Sequence, residues 1–182
     1  MKLNKAMLIL AAAGLLTSAA SYAADTTATT SGPQEATATL VVQSTATFNH
    51  DLQPASGIVA GKLADDAVLA NGTVQASQTM QKVKLSWVRA VNPELSGQDG
   101  QYAQLLPVGS KDQTKAIPVM FKPVLQPSQS QSDNDAAVYT LATPAQTFGY
   151  QIVNAAGKVG KGDVTISAGH YQMTVDADVV FA

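Results

Sequence analysis

The sequence contains no cysteine, and charged residues make up only 13% of its 182 residues. The absence of cysteine excludes a disulfide framework, so a folded domain of this length must be held by its core. Two histidines and a net charge of −2 leave no basic footprint for nucleic acid or an anionic membrane. A surface so poor in charge is typical of one covered by neighbouring molecules or of a solvated Ser/Thr/Gln surface, and composition leaves both open.

The amino-terminal segment is typical of an export signal. The basic start MKLNK is followed by an apolar run that ends in small residues. Cleavage after Ala23 places Ala23 and Ser21 at the two positions that must be small, so residues 1–23 are predicted to be a signal peptide. The alternative is a membrane anchor, which needs about 18 uninterrupted apolar residues, whereas Thr17 and Ser18 interrupt this run.

Period-two alternation dominates the sequence after the signal, and helical spacing is convincing only within it. Two segments, VKLSWV and TFGYQIV, show the alternation clearly. Each places three apolar side chains on one face, namely Val83, Leu85 and Trp87 in the first and Phe148, Tyr150 and Ile152 in the second. The pattern predicts an all-β domain over residues 44–182, with Trp87 in its core rather than in a sugar-binding platform.

Glycine, proline and runs of polar residues predict where strands end. Asn71-Gly72 between short apolar runs indicates a hairpin turn, because both central residues of the favoured turn need a positive φ. Pro118 and Pro123 place their segment at an edge or a bend. The run QPSQSQSDNDA, which has no apolar side chain to bury before its final Ala136, predicts a mobile surface loop.

The two ends of the mature chain fit one another. The final segment alternates up to the last residues and places six side chains on one face, namely Tyr171, Met173, Val175, Ala177, Val179 and Phe181. No residues follow to supply the strand that would seal a sandwich, so this strand is predicted to border an open groove. Residues 24–43 form an extension whose alternating side chains Ala36, Ala38, Leu40 and Val42 suit such a groove. Donation to a neighbouring copy would build a head-to-tail interface, which propagates into fibres.

No arrangement of residues for catalysis or for metal or cofactor binding is found. His50 and His170 lack a second ligand at metal-like spacing, and His50-Asp51 is predicted to lie in a local turn. Asp65-Asp66 and SDND do not match a calcium loop. We therefore expect no catalytic, metal-binding or cofactor-binding residue and no enzymatic activity.

The export signal, the Ala/Thr extension ending in Leu-Val, the cysteine-free β domain and the closing AG-x-Y strand together resemble chaperone–usher fimbrial subunits. The stretch TATATLV is similar to capsular-antigen pilins, and TFNHDLQPASGIVAGK to pH-regulated fimbrial antigen subunits of the long-loop chaperone branch. The resemblance implies an incomplete immunoglobulin-like β-sandwich completed by a donated amino-terminal strand. It also implies a periplasmic chaperone, an outer-membrane usher and a cell-surface fimbrium as the destination.

The leading hypothesis is a structural subunit of a surface polymer, assembled as a homopolymer and in contact with a host surface receptor. Its donor strand would be residues 36–42, and the final strand would border its acceptor groove. The rival hypothesis is an exported monomeric β-sandwich that binds carbohydrate or another ligand and pairs its amino-terminal run with its own domain.

Overall fold

The computed structural model describes residues 45–132 and 135–182, so the predicted signal peptide (1–23) and extension (24–43) lie outside the described residues. The domain boundary therefore stays a prediction. The elements are β1 (Phe48–Pro54), β2 (Gly61–Leu63), β3 (Val68–Trp87), β4 (Tyr102–Leu105), a 3₁₀ turn (Gln113–Lys115), β5 (Ile117–Pro123), β6 (Gln129–Ser132), β7 (Ala136–Asn154), β8 (Val164–Ile166) and β9 (Val175–Phe181). Within this part of the chain, no helix is long and apolar enough to cross a membrane.

Two long antiparallel strands, β3 and β7, organise a seven-stranded sheet. The first half of β3 and the second half of β7 lie in a layer ordered β1-β3-β7-β5-β4. The second half of β3 and the first half of β7 lie in a layer flanked by β9 and β6. Strands β2 and β8 form a separate pair. One curled sheet thus supplies both layers of a sandwich.

The curl occurs where the β3–β7 register shifts, between Gln75 and Met80 and again before Lys82. Such bulges bend a strand and increase its twist. Aromatic contacts show that the layers face each other: Trp87 stacks on Phe121 of β5 with ring centroids 4.3 Å apart.

The core confirms the alternation of the two clearest strands. Val83, Leu85 and Trp87 are buried on β3, and Phe148, Tyr150 and Ile152 are buried on β7. Period-two burial follows because successive side chains of a strand point to opposite faces.

The predicted hairpin at Asn71-Gly72 is wrong, because both residues lie inside β3. Gly72 is opposite Tyr150 in the β3–β7 ladder. A Cβ built on Gly72 would overlap the Tyr150 ring carbons Cζ and Cε1. The glycine therefore makes room for a tyrosine ring that lies across it.

Two other local predictions also need correction. Residues 129–132 of the predicted mobile loop form β6, which pairs with β7 although all four of its side chains are exposed. Strand β5 is interior rather than at an edge, since it lies between β7 and β4. Its prolines are tolerated because the ladder pairs Pro118 only with β4 and Pro123 only with β7.

Candidate functional site: an open groove between two strand edges

Strands β1 and β9 form two edges that face each other. Strand β7 pairs with both halves of β3 and so occupies one side of β3 along its length. Strands β1 and β9 therefore share the other side of β3. The curl of β3 then places them at the open margins of opposite layers. Neither strand has a second strand partner within the described ranges 45–132 and 135–182. Each edge therefore presents a row of backbone groups available for pairing.

The side chains along these edges are incompletely covered. On β9, Val175 is buried, whereas Ala177, Val179 and Phe181 are only half-buried. On β1, Leu52 is also half-buried. Val83 and Leu85, one strand further in, are fully buried. An apolar groove therefore runs between β1 and β9.

One end of the groove opens into an apolar cavity of about 350 Å³. Its lining includes Leu69, Leu105, Ile166, Tyr171 and Met173. Ile58 and Val59, from the loop after β1, also line it and are 39% and 78% exposed. The groove thus ends in a space large enough for an apolar side chain.

The segment before β9 is held by an asparagine instead of by a strand. Asn92, which is fully buried, donates from Nδ2 to the Gln172 carbonyl over 2.9 Å. Its Oδ1 accepts the Thr174 N–H over 2.8 Å. Strand β9 consequently begins at Val175, and the predicted edge residues Tyr171 and Met173 lie before it, in the cavity wall.

A histidine–tyrosine pair lies on the β1 side of the groove. His50 Nε2 is 2.7 Å from the Tyr150 hydroxyl oxygen. Burial lowers the pKa of His50 below its ordinary value of 6.5, against the opposing influence of the Asp176 and Asp51 carboxylates. Burial also raises the pKa of the Tyr150 phenol above 10.0, so the hydroxyl stays protonated while it shares a hydrogen bond with the imidazole. The predicted local turn at His50-Asp51 is wrong, because both residues lie in β1.

Acidification is expected to destabilise the domain through His50. The unfolded chain binds a proton at His50 at a higher pH than the folded chain does, so stability falls as the pH drops below 6.5. Urea midpoints of the full chain at about pH 7.5 and about pH 5.5 measure the effect. His50→Gln should reduce the loss. His170→Gln, a change at an exposed residue, should not, and equal losses in both variants would contradict the assignment.

The structure places four of the six predicted groove-edge residues on one strand. Val175, Ala177, Val179 and Phe181 share the inward face of β9, and their role as a groove edge stays a prediction. The donor residues Ala36, Ala38, Leu40 and Val42 lie outside the described residues. Sequence reasoning missed Asn92 and the pair of His50 with Tyr150. Their partners are about 80 to 100 positions away, beyond the reach of any local pattern.

Within residues 45–132 and 135–182, no group of three His, Cys, Asp or Glu side chains is arranged to hold a metal ion. The cavity at the end of the groove is lined mainly by apolar side chains, and the inward face of β9 is apolar as well. The chemistry of the groove is that of apolar burial and backbone hydrogen bonding, which suits an extended polypeptide segment.

No protein-family model and no curated protein matches the sequence. Solved structures do match. The Salmonella SafD adhesin is 17% identical, with a TM-score of 0.56 over 74% of this chain and 84% of that chain. HdaB, the minor tip subunit of the E. coli Hda pilus, is 11% identical, with the same TM-score and the same coverage. A structure of enteroaggregative E. coli AAF fimbriae is 12% identical, with a TM-score of 0.56 over 74% and 89% of the two chains.

These matches define the class of fold. The predicted class, an all-β immunoglobulin-like sandwich left open at one side, is confirmed. More particularly, the chain has the fold of bacterial fimbrial subunits, and the resemblance noted from the sequence is confirmed at the level of fold.

Proposed function

We propose that the protein is a structural subunit of a bacterial surface fimbria. Each copy inserts residues 36–42 into the groove of the next, so that a head-to-tail polymer forms. The observation that carries the proposal is the pair of facing edges β1 and β9, which have no further strand partner in the described part of the chain, with an incompletely covered apolar face between them. Such edges aggregate unless a segment covers them, and a donated strand covers both.

The composition of the extension supports its role as donor. Ala36, Ala38, Leu40 and Val42 recur at every second position, so one face of an extended strand meets the groove. Burial of Leu40 and Val42 contributes about 1.5–3 kcal/mol each, and each ladder hydrogen bond about 0.5–1.5 kcal/mol. The small alanines fit beside half-buried Ala177 and Val179. The sum is large enough for slow dissociation.

The partners follow from this mode of assembly. The partners are further copies of the chain, a periplasmic chaperone that covers the groove before assembly, and an outer-membrane usher. The predicted signal peptide directs the chain out of the cytoplasm, and the polymer ends at the cell surface. The fold neighbours include an adhesin and fimbriae described with fibronectin binding, which supports contact with a host surface. The role is structural and involves no catalytic step.

An arginine at a groove-facing donor position tests the proposal. Ala38→Arg is expected to abolish polymers, because a long charged side chain cannot be buried opposite half-buried Ala177 and Val179. Thr39→Arg is the matched control, because residue 39 has the opposite parity and faces outward. Both variants are expressed with the export machinery, and multimer ladders are compared on denaturing gels before and after boiling.

The proposal predicts a ladder from the wild type and Thr39→Arg, and monomer alone from Ala38→Arg. Normal fibres from Ala38→Arg would refute the donor assignment. If the wild type itself runs as a single monomeric species, the rival hypothesis of a monomeric ligand-binding sandwich is favoured. Deletion of residues 24–42 distinguishes the two further, because the proposal expects the truncated chain to lose the multimer ladder, whereas the rival expects a monomer both before and after the deletion.

A further inference from the structure

A second cavity, of about 540 Å³, lies beside the end of the groove that Tyr171 lines. Its walls come from residues 90–93 and from the loop that follows β4, and it includes the exposed side of Gln172. Val108, which is 64% exposed, stands at its margin. The lining mixes polar side chains, such as Ser110 and Lys111, with aliphatic ones, such as Val91 and Leu106. Together with Val108, the aliphatic side chains leave apolar surface that a partner can cover.

Backbone and side-chain hydrogen bonds join the walls of the cavity to the segment that borders the groove. Pro107 forms a β-bridge with Tyr171, and the Val108 N–H donates to the His170 carbonyl over 2.8 Å. Asn92 holds the other wall to Gln172. Tyr171 lines the groove cavity and Gln172 lines this one, so a single short segment forms the wall of both. The groove end and the cavity therefore lie on either side of one short segment.

The direction of the donated strand decides what reaches the cavity. Strands β1 and β9 both pair antiparallel with β3, so its curl makes them run in opposite directions across the groove, and a strand between them is antiparallel to only one. Strand β9 contributes four inward apolar side chains, from Val175 to Phe181, whereas β1 contributes Leu52. The more stable, antiparallel ladder is therefore the one between β9 and the donated strand. The first residue of the donated strand, Ala36, then lies near Phe181, and its last, Val42, lies near the start of β9. The groove end beside Tyr171 is thus the end from which the donated chain leaves toward its own domain.

The tether between strand and domain is short. Five residues lie between Val42 and Phe48, the first residue of β1, and the six steps from one to the other span at most about 20 Å. The amino-terminal end of the donating domain must therefore lie within that distance of the groove end. Phe48 itself is 41% exposed.

From this placement, and resting on the proposed function, we infer that the cavity beside Val108 receives the amino-terminal end of the next copy's domain, with Phe48 at the contact. In one copy the two features lie at opposite ends of the groove. Phe48 is near the curl of β3, opposite Ala76, whereas Val108 contacts the segment before β9. A head-to-tail polymer brings the Phe48 of one copy to the Val108 of another, as a heterologous interface requires. The contact buries both apolar groups and limits bending between successive subunits.

Paired cysteines test the contact directly, because the natural chain has none. Phe48→Cys combined with Val108→Cys should form disulfides between successive copies in assembled fibres. Boiled, non-reduced samples should then show covalent multimers that collapse to monomer on reduction. The matched control combines Phe48→Cys with Val124→Cys, since Val124 is similarly exposed, at 61%, but lies at the end of β5.

Two further variants test the mechanical consequence. Val108→Asp should leave the ladder of unboiled multimers intact while lowering the persistence length of the fibres at least about two-fold in electron micrographs. Val124→Asp should leave both unchanged. If the Phe48→Cys, Val108→Cys variant forms normal unboiled ladders but no disulfide-linked multimers, this inference is overturned and strand donation still stands. The same holds if only the control pair forms disulfide-linked multimers. Absence of unboiled ladders from the wild type would overturn the proposed function and the inference with it.

Discussion

Gly72→Ala is expected to lower the free energy of unfolding by about 2–4 kcal/mol. The added methyl group would overlap the ring of Tyr150, which lies across Gly72 from β7. Either the backbone at residue 72 or the Tyr150 ring would have to move, and the side chains packed around the ring leave it little space. Overpacking of a well-filled site costs about 1–3 kcal/mol, and displacement of the ring would also break the hydrogen bond to His50.

The surroundings of Tyr150 explain why the ring cannot step aside. Phe121 meets it edge to face with centroids 5.7 Å apart, and Phe148 stacks against it at 6.4 Å. Tyr150 is itself fully buried. A shift of the ring would therefore disturb the contact between the two layers, which Phe121 continues through its stacking on Trp87. The prediction is measured by urea unfolding of the full chain with the tryptophan fluorescence as signal.

Two comparisons isolate the cause. Gly162→Ala is the matched control, because a Cβ there meets no heavy atom within 4 Å, and it should be neutral or slightly stabilising. In a Tyr150→Val background, Gly72→Ala should cost much less than it does in the wild type, since the clashing ring is gone. An unchanged cost in that background would show that the clash is not the reason for the glycine.

The same glycine shows where sequence reasoning reaches its limit. Asn71-Gly72 between apolar runs favours a turn on local grounds, but the local pattern does not contain Tyr150, which lies about 80 positions later. The strands around Trp87 and Tyr150 were predictable because alternation is itself local. The length of β3 could not be predicted, because the bulges that allow one strand to belong to both layers carry no signal in the sequence.

Only one of the two edges of the groove could be predicted from the sequence. The inward face of β9 follows from alternation alone, from Val175 to Phe181. Its opposing edge, β1, was not recognised, because the polar pair His50-Asp51 favours a turn on local grounds. The facing of β1 and β9 depends on the curl of β3, a property of the whole sheet. Only the structure therefore shows that one strand inserted at this side would pair with two edges at once.

A groove that receives a strand binds it most tightly when the strands and segments that border the groove are already ordered. A strand donated into the groove gains its full set of hydrogen bonds and apolar contacts only if β9 and the segment before it are already in place, because ordering them on binding costs free energy. Most of β9 is ordered by its ladder with β3. Residues 170–174 have no ladder with β3; single backbone contacts from Val88, Pro107 and Val108 hold them together with the two side-chain hydrogen bonds of Asn92.

Asn92→Ala is accordingly expected to lower the free energy of unfolding by about 2–4 kcal/mol, since it leaves the Gln172 carbonyl and the Thr174 N–H without their partner. The loss should be accompanied by faster hydrogen exchange at the Thr174 amide, which a merely weakened core would not single out. The turn that presents residue 92 should survive, because its backbone N–H donates to the Val88 carbonyl independently of the side chain.

Asn71→Ala is the matched control for this change. Asn71 is an exposed asparagine on β3 whose Oδ1 accepts from Gln151 Nε2 over 3.2 Å, so its removal should stay within about 0.5 kcal/mol of the wild type. Equal stabilities for Asn92→Ala and Asn71→Ala would contradict a structural role for the buried side chain. A selective loss of protection at Thr174 would instead show that one asparagine holds the wall shared by the groove and the cavity beside Val108, because the segment it holds lines both.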